Sequence, residues 1–121
     1  MKKNSNFFES LYHALCGIVT LYKEERNMWI HTLAVIAVVV AGILLPLSLM
    51  EWVVLVVCMV LVIAGEIVNT LIERIMDKIT TEYDIDVKKI KDMSSSFVLI
   101  LSIGSAIVGC LIFLPKIIAL F

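Results

Sequence analysis

Four polar residues recur at helical spacing at the end of an apolar run: Glu66, Asn69, Glu73 and Asp77. At about 100° per residue they fall within roughly 80° of one another, so they form one polar stripe on a helix. The fourteen residues 52–65 before the stripe are uncharged and almost entirely apolar. An acidic side chain at the centre of a bilayer costs about 2.5–3.5 kcal/mol on insertion scales. The position of these acids therefore needs an explanation.

Glu66 is the deepest member of the stripe. A carboxylate at this depth suits a general base or acid that acts on a membrane-embedded substrate. The alternative is a structural carboxyl group that forms hydrogen bonds between helices, for instance with Asn69.

The shallow end of the stripe suits phosphate and metal chemistry. Oxygen ligands near an interface suit Mg²⁺, which usually takes one or two protein carboxylates together with phosphate oxygens and water. Glu73 and Asp77 are candidates, but Asp77 could instead pair with a basic residue of its own helix, such as Arg74. Lys91 could neutralise phosphate charge and Asp92 could orient groups beside it. Snorkelling at the interface is the alternative for Lys91.

The composition is that of a membrane protein, since 61% of the 121 residues are hydrophobic. Three segments are long enough to cross a bilayer as helices, at about 28–49, 52–72 and 93–114. Helical spacing carries the second helix on to about residue 80. We therefore predict an all-α integral membrane protein in which residues 1–121 form one domain. No secretory signal peptide is expected, because the first long apolar segment begins only near residue 28.

Residues 7–25 add an amphipathic helix that lies in the membrane interface. Its apolar face shows i, i+3, i+4 spacing and consists of Phe8, Leu11, Tyr12, Leu15, Ile18, Val19 and Tyr22.

Basic residues predict the orientation. Nine of the ten lysines and arginines lie on one side of the predicted spans: Lys2, Lys3, Lys23, Arg26, Arg74, Lys78, Lys88, Lys89 and Lys91. The positive-inside rule places this side, with the N-terminus, in the cytoplasm. The Pro46–Glu51 turn and the C-terminus, with Lys116, then face outward.

The polar residues follow a pattern, E-x-x-N-x-x-x-E, then D, E-Y and K-D, that resembles the prokaryotic diacylglycerol kinase family, which includes undecaprenol kinases. The residues that carry it are Glu66, Asn69, Glu73, Asp77, Glu82, Tyr83, Lys91 and Asp92. The resemblance covers nearly the whole chain. It implies a homotrimer in a bacterial cytoplasmic membrane that uses Mg²⁺ and ATP to phosphorylate a lipid alcohol. ATP, the lipid substrate and membrane lipids are the implied partners, and nucleic acid is not among them.

The resemblance also implies roles for individual residues. Glu66 matches the general base, which takes the proton from the lipid hydroxyl, and Asn69 matches the residue that positions this base. Glu25 and Glu73 match the metal ligands. Lys91 matches the lysine on the ATP phosphates, with Asp92 beside it. The residues implied to contact the nucleotide are His13, Gly17, Glu25, Glu73, Asp77, Glu82, Tyr83, Asp84, Lys91 and Asp92.

Three positions depart from the family pattern. His13 stands where a tyrosine is expected, Asp84 where a histidine is usual, and Trp29 where an arginine is usual. The segment from Asn27 to His31 otherwise resembles undecaprenol kinases. We therefore expect undecaprenol as the substrate, with diacylglycerol, giving phosphatidic acid, as the alternative. A small non-enzymatic membrane assembly or channel subunit is the alternative of another class.

Overall fold

The computed structural model describes residues 6–121, which form four α-helices and no β-strand. The helices are α1 (Phe7–Glu24), α2 (Arg26–Leu44), α3 (Leu49–Ile79) and α4 (Ile85–Ile118). The last three are long and apolar enough to cross a membrane. The predicted fold, a surface helix followed by three spans, is confirmed. The homotrimer stays a prediction, and Lys2 and Lys3 lie outside the described residues.

A single residue with extended backbone, Glu25 (φ −116°, ψ 109°), separates α1 from α2. An aromatic pair, Tyr22 and Trp29, stabilises this corner between α1 and α2. Trp29 donates from Nε1 to the carbonyl oxygen of Tyr22 at 2.7 Å, and the two rings meet edge to face. The Tyr22 hydroxyl lies 2.6 Å from Oγ1 of Thr32, which itself donates to the Met28 carbonyl oxygen. The corner fixes where Glu25 lies relative to the membrane spans.

Both interhelical turns are shorter than predicted, because each following helix begins at a side-chain cap. The turn between α2 and α3 covers residues 45–48 rather than the predicted 46–51. Ser48 and Glu51 form a capping box there, so α3 begins at Leu49. The turn between α3 and α4 covers residues 80–84. Asp84 Oδ1 accepts hydrogen bonds from the backbone N–H groups of residues 86 and 87, so α4 begins well before Lys91.

The predicted third span ends at residue 114, but α4 continues through Pro115 to Ile118. Proline has no N–H to donate to the carbonyl oxygen four residues earlier, and its ring crowds that oxygen, so a proline in a helix usually kinks or ends it. The carbonyl oxygen of Pro115 still accepts from the N–H of Ala119 at 3.1 Å, and the final turn closes.

Burial is inverted relative to a water-soluble protein. Within residues 6–121 the buried hydrophobic side chains are Met28 and Leu55, whereas the buried polar ones are Glu66, Asn69, Thr70 and Ser94. This pattern is expected where lipid surrounds the apolar surface and polar groups turn inward. All four buried polar residues lie on α3 or α4, the two helices that pack most extensively together. The polar interior of the fold is therefore centred on the predicted stripe.

Candidate active site

Glu66 is held by two residues of α2. Its side chain is buried, with 4% of the residue exposed. Asn27 donates from Nδ2 to Oε1 at 3.3 Å, and Nε2 of His31 lies 3.3 Å from Oε2. Asn27 and His31 are one helical turn apart and so share a face of α2. Glu66 is thus a carboxyl group bonded between helices, but through α2 and not through Asn69.

Asn69 makes its polar contacts elsewhere. Its Oδ1 accepts a 2.7 Å hydrogen bond from Oγ of Ser94 on α4, and its Nδ2 donates to Oε1 of Glu73 at 3.4 Å. The side chain therefore ties α3 to α4 and orients Glu73. A role for Asn69 in positioning Glu66 stays a prediction, without a direct contact to support it.

Glu25 contacts α3 through hydrogen bonds from Arg74. The sequence suggested Arg74 only as an ion-pair partner for Asp77. The Arg74 guanidinium donates to Oε1 of Glu25 through Nε at 3.1 Å and through a second nitrogen, and to Oε1 of Glu24 at 3.0 Å. Because Arg74 directly follows Glu73, this contact brings both predicted metal ligands to the same turn of α3. The signal for this contact in the sequence was the position of Arg74 directly after Glu73, a predicted acidic ligand.

The residues implied to bind phosphate form two ion pairs. Lys91 donates from Nζ to Oδ1 of Asp77 at 2.5 Å, across α3 and α4. Asp77 therefore pairs between helices rather than along its own. Lys88 donates to Oδ2 of Asp92 at 2.6 Å along α4. Through Asp77, Lys91 lies close to the turn of α3 that follows Arg74.

The remaining predicted nucleotide contacts lie on exposed surface. Glu82 and Tyr83 are exposed in the turn between α3 and α4, and the carboxylate of Asp84 caps α4. His13 is exposed on α1, where its ring meets Tyr12 edge to face. Gly17 is also exposed, and a Cβ there would meet nothing within 4 Å. Within residues 6–121 no hydrogen bond or ion pair links His13, Glu82 or Tyr83 to Glu66 or Glu73.

The donors at the shallow end fit a metal that is shared with a nucleotide. Within residues 6–121 no group of three or more His, Cys, Asp or Glu side chains forms a self-contained metal site. Glu25 and Glu73 offer carboxylate oxygens, which are the ligands that Mg²⁺ prefers, and Mg²⁺ commonly completes its shell with phosphate oxygens and water. The donor set therefore suits Mg²⁺ bound together with ATP.

An apolar cavity of about 360 Å³ lies between α2, α3 and α4. Its walls include Val35, Met59 and Phe113, and His31 also lines it. Since His31 contacts Glu66, the cavity ends beside the buried carboxyl group. A hydrocarbon chain in the cavity would have its polar end near Glu66.

Known proteins match most of the chain. The family model for prokaryotic diacylglycerol kinase matches residues 12–113, which include every predicted site residue. An undecaprenol kinase from Bacillus subtilis is 37% identical over 112 residues, which cover 93% of this chain and 91% of the relative. A diacylglycerol kinase from Synechocystis sp. is 32% identical over 116 residues, which cover 95% of this chain and 66% of the relative.

Proposed function

Since the chain belongs to the prokaryotic diacylglycerol kinase family and is a lipid kinase, we propose that it transfers the γ-phosphoryl group of ATP to undecaprenol. The products are undecaprenyl phosphate and ADP. The observation that carries a lipid acceptor is the buried Glu66 carboxyl group beside an apolar cavity. The relative named undecaprenol kinase supports the substrate, because it matches over nearly its whole length. Diacylglycerol remains the alternative, supported by the second relative.

In the proposed reaction Glu66 acts as the general base. The lipid hydroxyl gives its proton to the Glu66 carboxylate as its oxygen attacks the γ-phosphorus, and the bond to the ADP oxygen breaks. Positioned proton transfer of this kind contributes about 10²–10⁴-fold to a rate. Burial of Glu66 excludes water, a competing acceptor for the phosphoryl group.

The shallow residues hold the nucleotide. Glu25 and Glu73 would bind Mg²⁺, which when bound offsets the charge on the phosphate oxygens, and Lys91 would contact those oxygens. Residues 66 and 73 are about 10 Å apart along the helix at 1.5 Å per residue. The γ-phosphoryl end of the nucleotide must cover this distance to reach the hydroxyl beside Glu66, while the rest of the nucleotide stays at the interface.

Two ion pairs must open before the nucleotide binds. Arg74 has to release Glu25, and Asp77 has to release Lys91. The side chain of Arg74 is 44% exposed and that of Asp77 62%. Exposed ion pairs contribute little to stability, because water and salt screen them. Mg-ATP can therefore replace them at little cost.

The nucleotide site is completed at a subunit interface in our proposal. His13 and Gly17 are exposed on α1, so they are free to meet the nucleotide at a site on a neighbouring protomer. A homotrimer in the bacterial cytoplasmic membrane, with the N-terminus in the cytoplasm and the C-terminus outside, accounts for this arrangement. A non-enzymatic assembly or channel subunit loses its support, because the family is one of lipid kinases.

A competition assay tests the substrate. Purified protein in mixed micelles would receive radiolabelled ATP with equal amounts of undecaprenol and diacylglycerol. We expect undecaprenyl phosphate to be the main product. The Glu66→Gln variant, which keeps the side-chain shape, should lose about 10²–10⁴-fold in kcat and still bind ATP. Mainly phosphatidic acid would contradict the undecaprenol assignment, and no lipid product would contradict the activity as a whole.

A further inference from the structure

Both oxygens of the Glu66 carboxyl group are engaged by one face of α2. Asn27 contacts Oε1 and His31 contacts Oε2, each at 3.3 Å. A glutamate side chain has three rotatable bonds, and a contact at only one oxygen would leave the carboxyl plane free to turn. Contacts at both oxygens, from residues one turn apart, restrict that rotation.

The two contacts are complementary to a carboxylate. An ionised carboxyl group only accepts hydrogen bonds, and the amide nitrogen of Asn27 only donates them. Nε2 of His31 matches the same oxygen acceptor when it carries its proton, either in the neutral Nε2–H tautomer or in the imidazolium. The arrangement thus fits the ionised form of Glu66, which is the form that a base requires.

His31 also marks the side from which the lipid arrives. Its ring lines the apolar cavity, whereas Asn27 lies one turn nearer the cytoplasm and does not line it. The oxygen in contact with His31, Oε2, is therefore the one on the cavity side. A hydroxyl group at the end of a chain in the cavity would meet this oxygen first.

We propose that Asn27 and His31 are positioning residues that hold the Glu66 carboxylate with Oε2 directed toward the lipid hydroxyl. The inference rests on the proposed function, in which Glu66 is the base. A misplacement of about 1 Å in a reacting group can cost about 10²-fold in rate. Loss of either contact should therefore lower kcat without weakening nucleotide binding, because neither residue is among the nucleotide ligands.

The competing explanation is that these contacts only fasten α2 to α3. Conservative and matched variants separate the two roles. His31→Leu removes the polar contact, and His31→Gln restores an N–H donor. Asn27→Asp keeps the shape but replaces the donor with an acceptor. Thr32→Val serves as the control, because it removes a polar contact of α2 with α1 without touching Glu66.

We expect His31→Leu and Asn27→Asp to lower kcat by about 10- to 100-fold, with KM for Mg-ATP unchanged and with most activity recovered in His31→Gln. Thr32→Val should keep the wild-type kcat. In the Glu66→Gln background His31→Leu should cause no further loss, because no carboxylate remains to be positioned. Wild-type kcat in His31→Leu and Asn27→Asp, or an equal loss in the Glu66→Gln background, would overturn the proposal.

A spectroscopic readout separates this proposal from the proposed function. The carboxylate bands of Glu66 can be identified by infrared difference between the wild type and Glu66→Gln, without any turnover. His31→Leu should shift these bands, His31→Gln should shift them less because it restores a donor, and Thr32→Val should not shift them. Unshifted bands in His31→Leu would refute the positioning role even in an active enzyme. A wild type that phosphorylates no lipid would instead refute the proposed function, while shifted bands would still support the contacts.

Discussion

The Arg74 guanidinium lies beside Glu25, a predicted metal ligand, and supplies a positive charge where a bound metal ion would supply one. Its guanidinium donates to Glu25 through two nitrogens and to Glu24 through a third. A divalent metal on Glu25 has to displace this contact. We therefore expect Arg74→Gln to raise the affinity for the divalent metal, although a basic residue near ATP would ordinarily be expected to help.

The exposure of the pair limits the size of the effect. The side chains of Arg74 and Glu25 are 44% and 28% exposed, so water and salt screen the pair. Removal of this competition should therefore tighten metal binding by less than about 10-fold. A larger gain would mean that the pair is stronger than its exposure implies.

Direct binding of Mn²⁺, followed by electron paramagnetic resonance with a non-hydrolysable ATP analogue at saturation, measures the change. Lys88→Gln is the matched control, since it removes one positive charge from the same side but from a residue paired with Asp92. We expect tighter binding in Arg74→Gln than in Lys88→Gln. Equal affinities in the two variants, or weaker binding in Arg74→Gln, would refute the competition and point to a phosphate contact for Arg74.

Two further predictions concern the metal and the fold. Glu73→Gln should weaken Mg-ATP binding by at least about 10-fold, measured as KM and as Mn²⁺ affinity, and unchanged affinity would remove the metal role. Gly42→Ala should lower the thermal unfolding temperature in detergent, because its Cβ would lie 2.6 Å from the Trp52 ring and overpacking costs about 1–3 kcal/mol. Gly104→Ala, where a Cβ meets nothing within 4 Å, is the control and should unfold no earlier than the wild type.

Local patterns in the sequence predicted the fold well. The apolar runs predicted three spans, and the i, i+3, i+4 spacing predicted the surface helix. The turn boundaries differed because caps such as Asp84 and Ser48 decide where a helix begins. At Pro115 the rule that a proline ends a helix agreed with the predicted end at residue 114, but α4 continues to Ile118. The caps act within a few residues and could have been read from the sequence.

The partners of the acids were harder to predict. Glu66 and His31 are 35 positions apart, and periodicity shows which residues share a helix face but not which face of the next helix lies opposite. Asn69 was a plausible partner on the same helix, yet the close packing of α3 on α4 gives it Ser94 instead. Arg74 was expected to pair with Asp77 along its own helix, whereas its contact with Glu25 joins positions 49 apart.

Helix α3 is one unbroken rod of 31 residues. At 1.5 Å per residue it is about 46 Å long, whereas the hydrocarbon core of a bilayer is about 30 Å thick. Glu66 and Glu73 therefore keep a fixed separation, and any tilt or shift of the rod moves both together. In a bilayer of a different thickness such a rod would tilt as a unit, so the two residues proposed as base and metal ligand would change depth together.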